Sequence, residues 1–276
     1  MSFTPFIHAA DPPVANPGRP TVSTPATLTP VGYLQFENGG FYGTHSPEFS
    51  NQFSLSQVTK LTIAPRLQLL CNWQPVAASH ADGMHAVQRG DLDLGAQAVL
   101  LPGHDLHPTI SASYFHRAYA GAAPDTDIGS YSQSALLLLS ADLRGFHVDT
   151  NDLMNEQLDG HVRRPQFGQT LSVSHPLTNT HTISSELWHF TQPLHHGRAV
   201  GTLWAASYTA RPNLVFDAGF DRGLTSTSTR WEAFAGFTYL LPHRLWRGGA
   251  SQPSTAQPRT QPSPAAVSNP GSKPTR

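Results

Sequence analysis

The sequence predicts an all-β fold, a transmembrane antiparallel up-and-down β-barrel of about twelve strands. Three observations lead to this prediction: alternating apolar and polar residues, connections that alternate in length, and a low charge content. Only 13% of the 276 residues are charged and 38% are hydrophobic, with a formal net charge of −1. The 17 basic and 18 acidic residues leave no basic surplus for binding nucleic acid. No apolar run reaches the ~20 residues of a membrane-spanning helix.

The strands are predicted from period-2 alternation, which places apolar and polar side chains on opposite faces. In 91–100 every even position is apolar, and 213–221 shows the same pattern. Clear alternation also occurs in 66–73, 109–114, 200–208 and 231–239. Weaker candidates complete the set: 32–39, 52–63, 132–141, 146–151, 168–175 and 181–190.

The connections between these strands alternate in length. The short ones are 64–66, 101–106, 142–145, 176–180 and 211–212, and the long ones are 75–90, 116–131 and 152–167. Two further connections, 192–198 and 222–229, are of intermediate length. Outer-membrane barrels have short periplasmic turns and longer outer loops, whereas a soluble sandwich has no reason to keep its tight turns at one end. An even number of strands puts both termini on the periplasmic side.

The chemistry of the polar faces indicates a barrel with an inward polar surface. They carry Ser, Thr, Gln, Gly and Asp, and Lys60 is the only lysine before residue 247. In a membrane barrel the apolar faces meet lipid and the polar faces line the lumen. The candidate lumen-lining residues are Arg66, Gln68, Asn72, Asp91, Asp93, Asp217 and Asp221.

The aspartates on these faces allow two interpretations. If they line a channel, they favour cations or neutral solutes. Alternatively, they pair with Arg66 or Arg230 and fill the interior. About twelve strands lie between a small barrel filled by side chains and an open sixteen-stranded porin, so we expect a narrow or plugged pore.

Aromatic residues at or near strand ends fit an interfacial girdle. The candidates for this membrane-interface position are Trp73, Trp188, Trp204, Tyr208, Trp231 and Tyr239. Ordinary packing is the alternative, because strands are rich in aromatic residues in any β protein.

Both ends of the chain are predicted to lie outside the barrel domain, which spans 31–246. Residues 1–30 form a proline-rich leader, and the stretch from Phe6 to Ala10 resembles the end of a secretory signal peptide. Residues 247–276 are rich in Pro and Ser, contain four basic residues and no acid, and are predicted to be disordered. This basic tail is interpreted as a flexible end, with an anchor for an anionic polymer or a lipid headgroup as the alternative.

Several segments resemble the outer-membrane transporters grouped as the MetA-pathway phenol-degradation family. These segments are 90–96 (GDLDLGA), 129–131 (GSY), 146–151 (FHVDTN), 212–223 and 236–239 (GFTY). The similarity runs in order over residues 32 to 241 but departs from the family at the C-terminus, because 30 residues follow Trp246. The resemblance implies an outer-membrane barrel connected with aromatic degradation or uptake, inserted by the barrel-assembly machinery. It brings no catalytic residues.

Catalytic and metal chemistry have little support in the sequence. Neither the 104–107 cluster (HDLH) nor the His195-His196 pair has the i, i+4 helical spacing of a zinc enzyme, and Cys71 is the only cysteine. We expect no cofactor and no metal. An acyl hydrolase would draw on Ser174 and His175, or on Ser185, Glu186 and His189.

The sequence therefore favours a passive outer-membrane conduit for small hydrophobic or aromatic molecules. Its partners would be outer-membrane lipid and a small solute. The alternatives are a structural or adhesive barrel without a transport role, and an outer-membrane acyl hydrolase.

Overall fold

The computed structural model describes residues 13–124, 127–128, 131–159, 162–194 and 197–246. The predicted leader residues 1–12 and the predicted tail 247–276 lie outside these ranges. The described chain forms thirteen strands: β1 (Leu34–Thr44), β2 (Asn51–Ala64), β3 (Leu67–Ala81), β4 (Met84–Gln88), β5 (Leu92–Leu101), β6 (Thr109–Tyr119), β7 (Tyr131–Leu143), β8 (Phe146–Asp159), β9 (Val162–Pro176), β10 (His181–Gln192), β11 (Gly197–Arg211), β12 (Leu214–Gly223) and β13 (Trp231–Leu240). Among the described residues, no helix is long and apolar enough to cross a membrane.

Twelve of the strands form a closed antiparallel barrel, which confirms the predicted fold class. Apart from β4 and β5, each strand pairs with its neighbours along the chain, and β1 pairs with β13 to close the ladder. The short strand β4 pairs only with the end of β3, and β5 pairs with the beginning of β3. β4 and β5 together therefore occupy one position in the wall. Closure leaves no long sheet edge, which is the condition for placing a β-structure in hydrocarbon.

Two connections that the sequence analysis predicted as long loops contain strand residues instead. Within 75–90 the chain continues β3 to Ala81, turns at Asp82-Gly83 and returns as β4. Both turn residues have positive φ, 50° and 78°, as a two-residue type I′ hairpin turn requires. Within 152–167, β8 continues to Asp159 and β9 begins at Val162. These strands exceed the 9–11 residues needed to cross a bilayer, so the wall extends beyond that length here.

The two ends of the barrel differ in connection length less than predicted, because 75–90 and 152–167 consist mostly of strand residues and 102–108 is longer than 45–50. The short-turn end carries the connections 65–66, 102–108, 144–145, 177–180 and 212–213, and both ends of the barrel domain emerge there. The opposite end, called the loop end below, carries 45–50, 120–130, 193–196 and 224–230 together with the 82–83 turn. Residues 120–130 form the longest of these connections.

The polarity of the wall is inverted relative to a soluble barrel. Large apolar side chains point outward and are exposed, for example Leu94 at 51%, Leu171 at 48% and Leu187 at 54%. Four inward glutamines are at most 2% exposed: Gln35, Gln68, Gln97 and Gln166. Asp152 is an exception, since it is exposed on the outward face of β8. The apolar exterior and polar interior follow directly from the period-2 pattern once the sheet closes.

Candidate functional site

The lumen receives five of the seven predicted lining residues clearly. Gln68, Asp93, Asp217 and Asp221 are inward and 2–8% exposed. Asn72 lies directly opposite Asp93 in the β3–β5 ladder and therefore shares its face.

The remaining two predicted lining residues lie near the rims. Asp91 is half-buried towards the loop end, where it accepts hydrogen bonds from Arg117 Nη1 at 3.2 Å and from the Gly121 backbone N–H at 2.7 Å. Arg66 corrects the prediction, because it is exposed in the turn between β2 and β3. The inward–outward alternation of the strand stops at this turn. Whether a turn residue has an even or odd number therefore does not predict the side it faces.

Residues 13–30 lie inside the barrel, although the sequence analysis placed them outside the barrel domain. We call 13–30 the lumenal segment. It enters at the short-turn end, where the Ala15 N–H donates to the Pro212 carbonyl at 2.8 Å. The Asn16 N–H donates to Gln35 Oε1 at 2.9 Å, and the Gly18 N–H donates to the Glu37 carboxylate at 3.0 and 3.2 Å. The lumenal segment belongs to no sheet, so its backbone N–H groups have no partners within a ladder. Side chains of the wall accept their hydrogen bonds instead.

Arg19 anchors the lumenal segment to the inner face of the wall. Its guanidinium donates twice to the Asp217 carboxylate, from Nε at 3.2 Å and from Nη2 at 3.0 Å. It also lies 5.2 Å above the centre of the Phe41 ring. A Cβ at Gly39, or at Gly236 opposite it, would overlap this guanidinium. Two facing glycines therefore make the space that the bidentate ion pair needs.

Glu186 holds the bend of the lumenal segment at Val22 and Ser23. Its carboxylate accepts the Val22 N–H at 2.6 Å, the Ser23 N–H at 2.7 Å and the Ser23 hydroxyl at 2.5 Å. The Ser23 hydroxyl also contacts Thr170 Oγ1 at 2.8 Å. Glu186 and Ser23 are 2% and 0% exposed, so these charge-assisted bonds are shielded from water.

The segment then crosses the lumen towards β2. The Thr24 N–H donates to Asn151 Oδ1 at 2.6 Å, and the Ala26 N–H donates to Ser140 Oγ at 2.7 Å. The Thr29 N–H donates to Gln68 Oε1 at 3.0 Å. Further wall side chains that bond to its carbonyls are Gln97 and Ser111. The lumenal segment thus has polar contacts around most of the wall and fills the part of the lumen next to the short-turn end.

Aromatic side chains occupy the next layer of the lumen. Trp188 and Phe190 are 2% and 1% exposed, and their rings lie 5.4 Å apart. Three apolar residues pack against them: Val22 of the lumenal segment, Ile128 of the 120–130 loop and Leu153 of β8. Trp188 Nε1 donates to Asp221 Oδ2 at 2.6 Å, which satisfies the one polar atom of the indole ring.

Each of these inward rings lies across a glycine of the neighbouring strand. Trp188 is opposite Gly201 and Phe190 is opposite Gly168. A Cβ at either glycine would overlap the ring, so the lack of a side chain lets the aromatic group lie flat on the wall.

Asp127 and Ile128, between β6 and β7, contact the inward side of the wall at the loop end. The Thr229 N–H donates to Asp127 Oδ1 at 2.6 Å, and Gln192 Nε2 donates to the Asp127 carbonyl at 2.5 Å. Gln157 Nε2 donates to the Ile128 carbonyl at 2.9 Å. Burial raises the pKa of the Asp127 carboxyl to about 6, although the Thr229 hydrogen bonds oppose this rise. These two residues therefore lie in the lumen on the side opposite the lumenal segment.

The predicted interfacial aromatics divide into two groups. Trp73, Trp204, Tyr208 and Trp231 face outward and are 38–53% exposed. Tyr239 also faces outward, because it shares the parity of Trp231 on β13, and is half-buried. Trp188 does not belong to a girdle, since it faces the lumen. Alternation alone places it there: Ser184, Glu186 and Trp188 share the inward face of β10.

The alternative catalytic groups do not converge. Glu186 and His189 lie three residues apart on β10 and therefore on opposite faces. His175 also faces outward, where its Nδ1 contacts the Gly145 carbonyl at 3.0 Å. His104 and His107 face each other at the short-turn end with ring centres 4.7 Å apart, and His195-His196 lie outside the described residues. Across the described ranges, no three His, Cys, Asp or Glu side chains are gathered to hold a metal ion.

Several lumenal charges were missed as lining residues, among them Arg19, Glu37, Lys60 and Glu186. Lys60 Nζ lies 2.6 Å from Glu37 Oε1, and both side chains are buried. Lys60 is the only lysine in the strand region, and this isolation could have predicted an inward ion pair. Arg19 and Glu186 carried no such signal, because their partners are 198 and 164 residues away in sequence.

Comparison with known proteins adds information about the fold. No family model and no curated protein matches the chain. The chain is similar to a solved structure of the COG4313 outer membrane channel from Pseudomonas putida F1, with 14% identity and a TM-score of 0.57, covering 82% of this chain and 100% of that chain.

Two other solved structures are more distant. The KdgM porin has 12% identity and a TM-score of 0.49 over 75% of this chain and 98% of that one. The CymD monoaromatic hydrocarbon channel has 9% identity and a TM-score of 0.45 over 78% and 90%. At such identities the similarity to the Pseudomonas channel concerns the fold alone: this chain has the closed-barrel fold of an outer membrane channel.

Proposed function

We propose that this protein is a passive outer-membrane channel for small hydrophobic or aromatic solutes. The observation that carries the proposal is the inverted polarity of a closed barrel, with exposed leucines outside and buried glutamines and carboxylates inside. Such a wall is stable in lipid, because every strand is paired and the outward side chains are apolar. In this placement the short-turn end faces the periplasm and the loop end faces outward.

The contents of the lumen support selection of small solutes over bulk diffusion. The lumenal segment occupies the short-turn side, and Asp127 and Ile128 lie in the lumen on the loop side. Between them lies the apolar layer around Trp188 and Phe190. A solute passing this layer meets aromatic faces, which favour apolar and aromatic groups over sugars or ions.

The adhesive alternative has less support. An adhesive barrel presents long outward loops, but Asp127 and Ile128, in the connection between β6 and β7, are bonded to the inward side of the wall. The other described loops there, 45–50 and 224–230, are short.

Liposome swelling and single-channel recording test the proposal. We expect small, rare conductance steps from the purified protein and faster swelling with benzyl alcohol than with a disaccharide. Heat-modifiable migration in detergent electrophoresis checks that the barrel is folded. A folded barrel with neither conductance nor swelling, in the wild type and in a variant with a displaced lumenal segment, would exclude a channel.

A further inference from the structure

A pocket of about 310 Å³ lies on the rim at the loop end, outside the lumen described above. It is formed by His45 and by the end of β12 with the following loop, and its lining includes Arg222, Leu224, Thr225, Ser228 and Arg230. Two arginines and a histidine face this space, and none of the lining residues is acidic. The lining of the pocket therefore presents cationic and hydroxyl groups.

The arginine at its base is held in a fixed orientation. Arg222 Nη1 donates to the Arg230 carbonyl at 2.8 Å, and its guanidinium carbon lies 4.5 Å above the Trp231 ring centre. A guanidinium has five N–H donors, so this single bond leaves further donors for a ligand. The Arg230 N–H reaches the Thr44 and His45 carbonyls, each at 3.2 Å, which fixes the two sides of the pocket relative to each other.

The loop that completes the pocket is also preorganised. Thr225 Oγ1 lies 2.6 Å from Ser228 Oγ, and Ser228 Oγ donates to the Val200 carbonyl at 3.0 Å. Rigid donors lose little entropy when a ligand binds. Planar arginine groups suit the bidentate recognition of phosphate oxygens.

The surroundings indicate where such a phosphate would come from. Arg222 lies on the outward face of β12, next to Trp231 on β13. Phe220 and Trp231 are each 46% exposed on the same outer surface, and Leu224 beside them is 58% exposed. Aromatic side chains of this kind mark the boundary between hydrocarbon and headgroups. A phosphate in the pocket would thus lie next to an apolar protein surface that can contact the acyl chains of a lipid.

We propose that the Arg222–Arg230 pocket binds the phosphate of an outer-leaflet glycolipid headgroup, with the acyl chains lying along Phe220 and Trp231. The proposal rests on the outer-membrane placement above but not on solute transport. A soluble anion is the competing source of the same chemistry. The apolar surface below the pocket favours the lipid.

Lipid binding to the detergent-solubilised protein tests the proposal by native mass spectrometry. The probes are lipopolysaccharide, its enzymatically dephosphorylated form and inorganic phosphate. We expect the double variant R222A/R230A to weaken lipopolysaccharide binding at least tenfold and to leave binding of the dephosphorylated form unchanged. The matched control R163A/R164A removes two other arginines near the loop end and should bind as the wild type does.

Three results would overturn the assignment: equal losses in the two double variants, no loss in R222A/R230A, or inorganic phosphate binding as tightly as the lipid. Heat-modifiable migration verifies that each variant is folded. Liposome swelling of R222A/R230A should match the wild type, so failure of the lipid site and failure of the channel function give different results. R222K, which keeps the charge but loses the planar fork, should give an intermediate affinity.

Discussion

At the scale of single residues, the interior depends on specific hydrogen bonds between buried side chains. Trp188 shows this most directly, because its indole N–H has Asp221 as its acceptor and its ring is 2% exposed. Replacing Asp221 with Ala leaves that N–H buried and unpaired, which costs about 1–3 kcal/mol. We expect D221A to lower the urea midpoint for loss of heat-modifiable migration. D221N retains an acceptor and should lie closer to the wild type. Equal midpoints for D221A and the wild type would contradict this account.

Asp127 predicts a pH dependence of the connection between β6 and β7. A released loop would have the usual aspartate pKa of about 3.9, whereas docking raises it to about 6. The docked state therefore binds the proton more tightly, so docking is favoured at low pH and weakens as the pH rises from about 4 to about 6. Above pH 6 the effect is constant. Single-channel records between pH 4 and 8 should show longer closures at the acid end.

The variant D127N separates this residue from its neighbours. It keeps an oxygen acceptor for Thr229 but does not titrate, so the pH dependence of the closures should weaken. Some dependence remains, because the carboxylates of Asp221 and Glu232 interact electrostatically with Asp127. D105N, at an exposed position near the short-turn end, should keep the wild-type profile. An unchanged profile in D127N would refute the assignment.

At the scale of elements, the lumenal segment is the least predictable part of the molecule. Its composition resembles that of a disordered leader, because it cannot bury apolar surface on its own. What orders it is the wall, through Glu37, Asp217 and Glu186, which lie on three different strands. Sequence patterns predict which face of a strand a residue occupies. They do not predict which distant segment fills the lumen. Within the wall, by contrast, parity placed Asp93, Asp217 and Asp221 inward.

The hairpin between β3 and β4 was open to prediction. Asp82-Gly83 is the residue pair that type I′ turns prefer, and it sits in the middle of the segment interpreted as a long loop. Polar or proline residues around it, such as Pro75 and His80, interrupt the alternation of apolar and polar residues. Periodicity therefore did not predict strands in this segment. Turn chemistry therefore carried information there that periodicity did not.

Loss of the Glu186 carboxylate should loosen the lumenal segment. E186A removes the acceptor of three hydrogen bonds from Val22 and Ser23. We expect larger or more frequent conductance steps in planar bilayers, because the short-turn side of the lumen opens. E156A removes a carboxylate whose partner Arg163 is largely exposed, and it should conduct as the wild type does. Wild-type conductance in E186A would show that Glu186 does not hold the segment.

At the scale of the whole molecule, the apolar exterior predicts how much an outward arginine destabilises the barrel at different depths in the bilayer. Leu187 lies in the middle of β10 and is 54% exposed, whereas Leu143 ends β7 next to a tight turn and is 44% exposed. An arginine at the middle of a bilayer costs about 2–4 kcal/mol and near the interface about 0–1 kcal/mol. L187R should therefore be much less stable than L143R in urea titrations of the vesicle-inserted protein. Similar stabilities would argue against a membrane belt at this height.

The composition of the chain is explained at this same scale. Few charged residues are needed when the outer surface of the wall is apolar, and several of the charges present are paired inside, as in Arg19–Asp217 and Lys60–Glu37. The closed architecture could thus be predicted from charge content and alternation. The filling of the lumen could not, because it depends on contacts between residues far apart in sequence.

The position of the lumenal segment has a consequence for the order of assembly. Thr29 is held by β2 and β3, near the start of the barrel, while Arg19 is held by Asp217 on the penultimate strand. These two attachments coexist only after nearly the whole ladder has formed. The N-terminal segment therefore completes its set of contacts only after the last hairpin has joined the sheet. Its two ends link the first strands of the barrel to the last ones, so seating of the segment and closure of the barrel depend on each other.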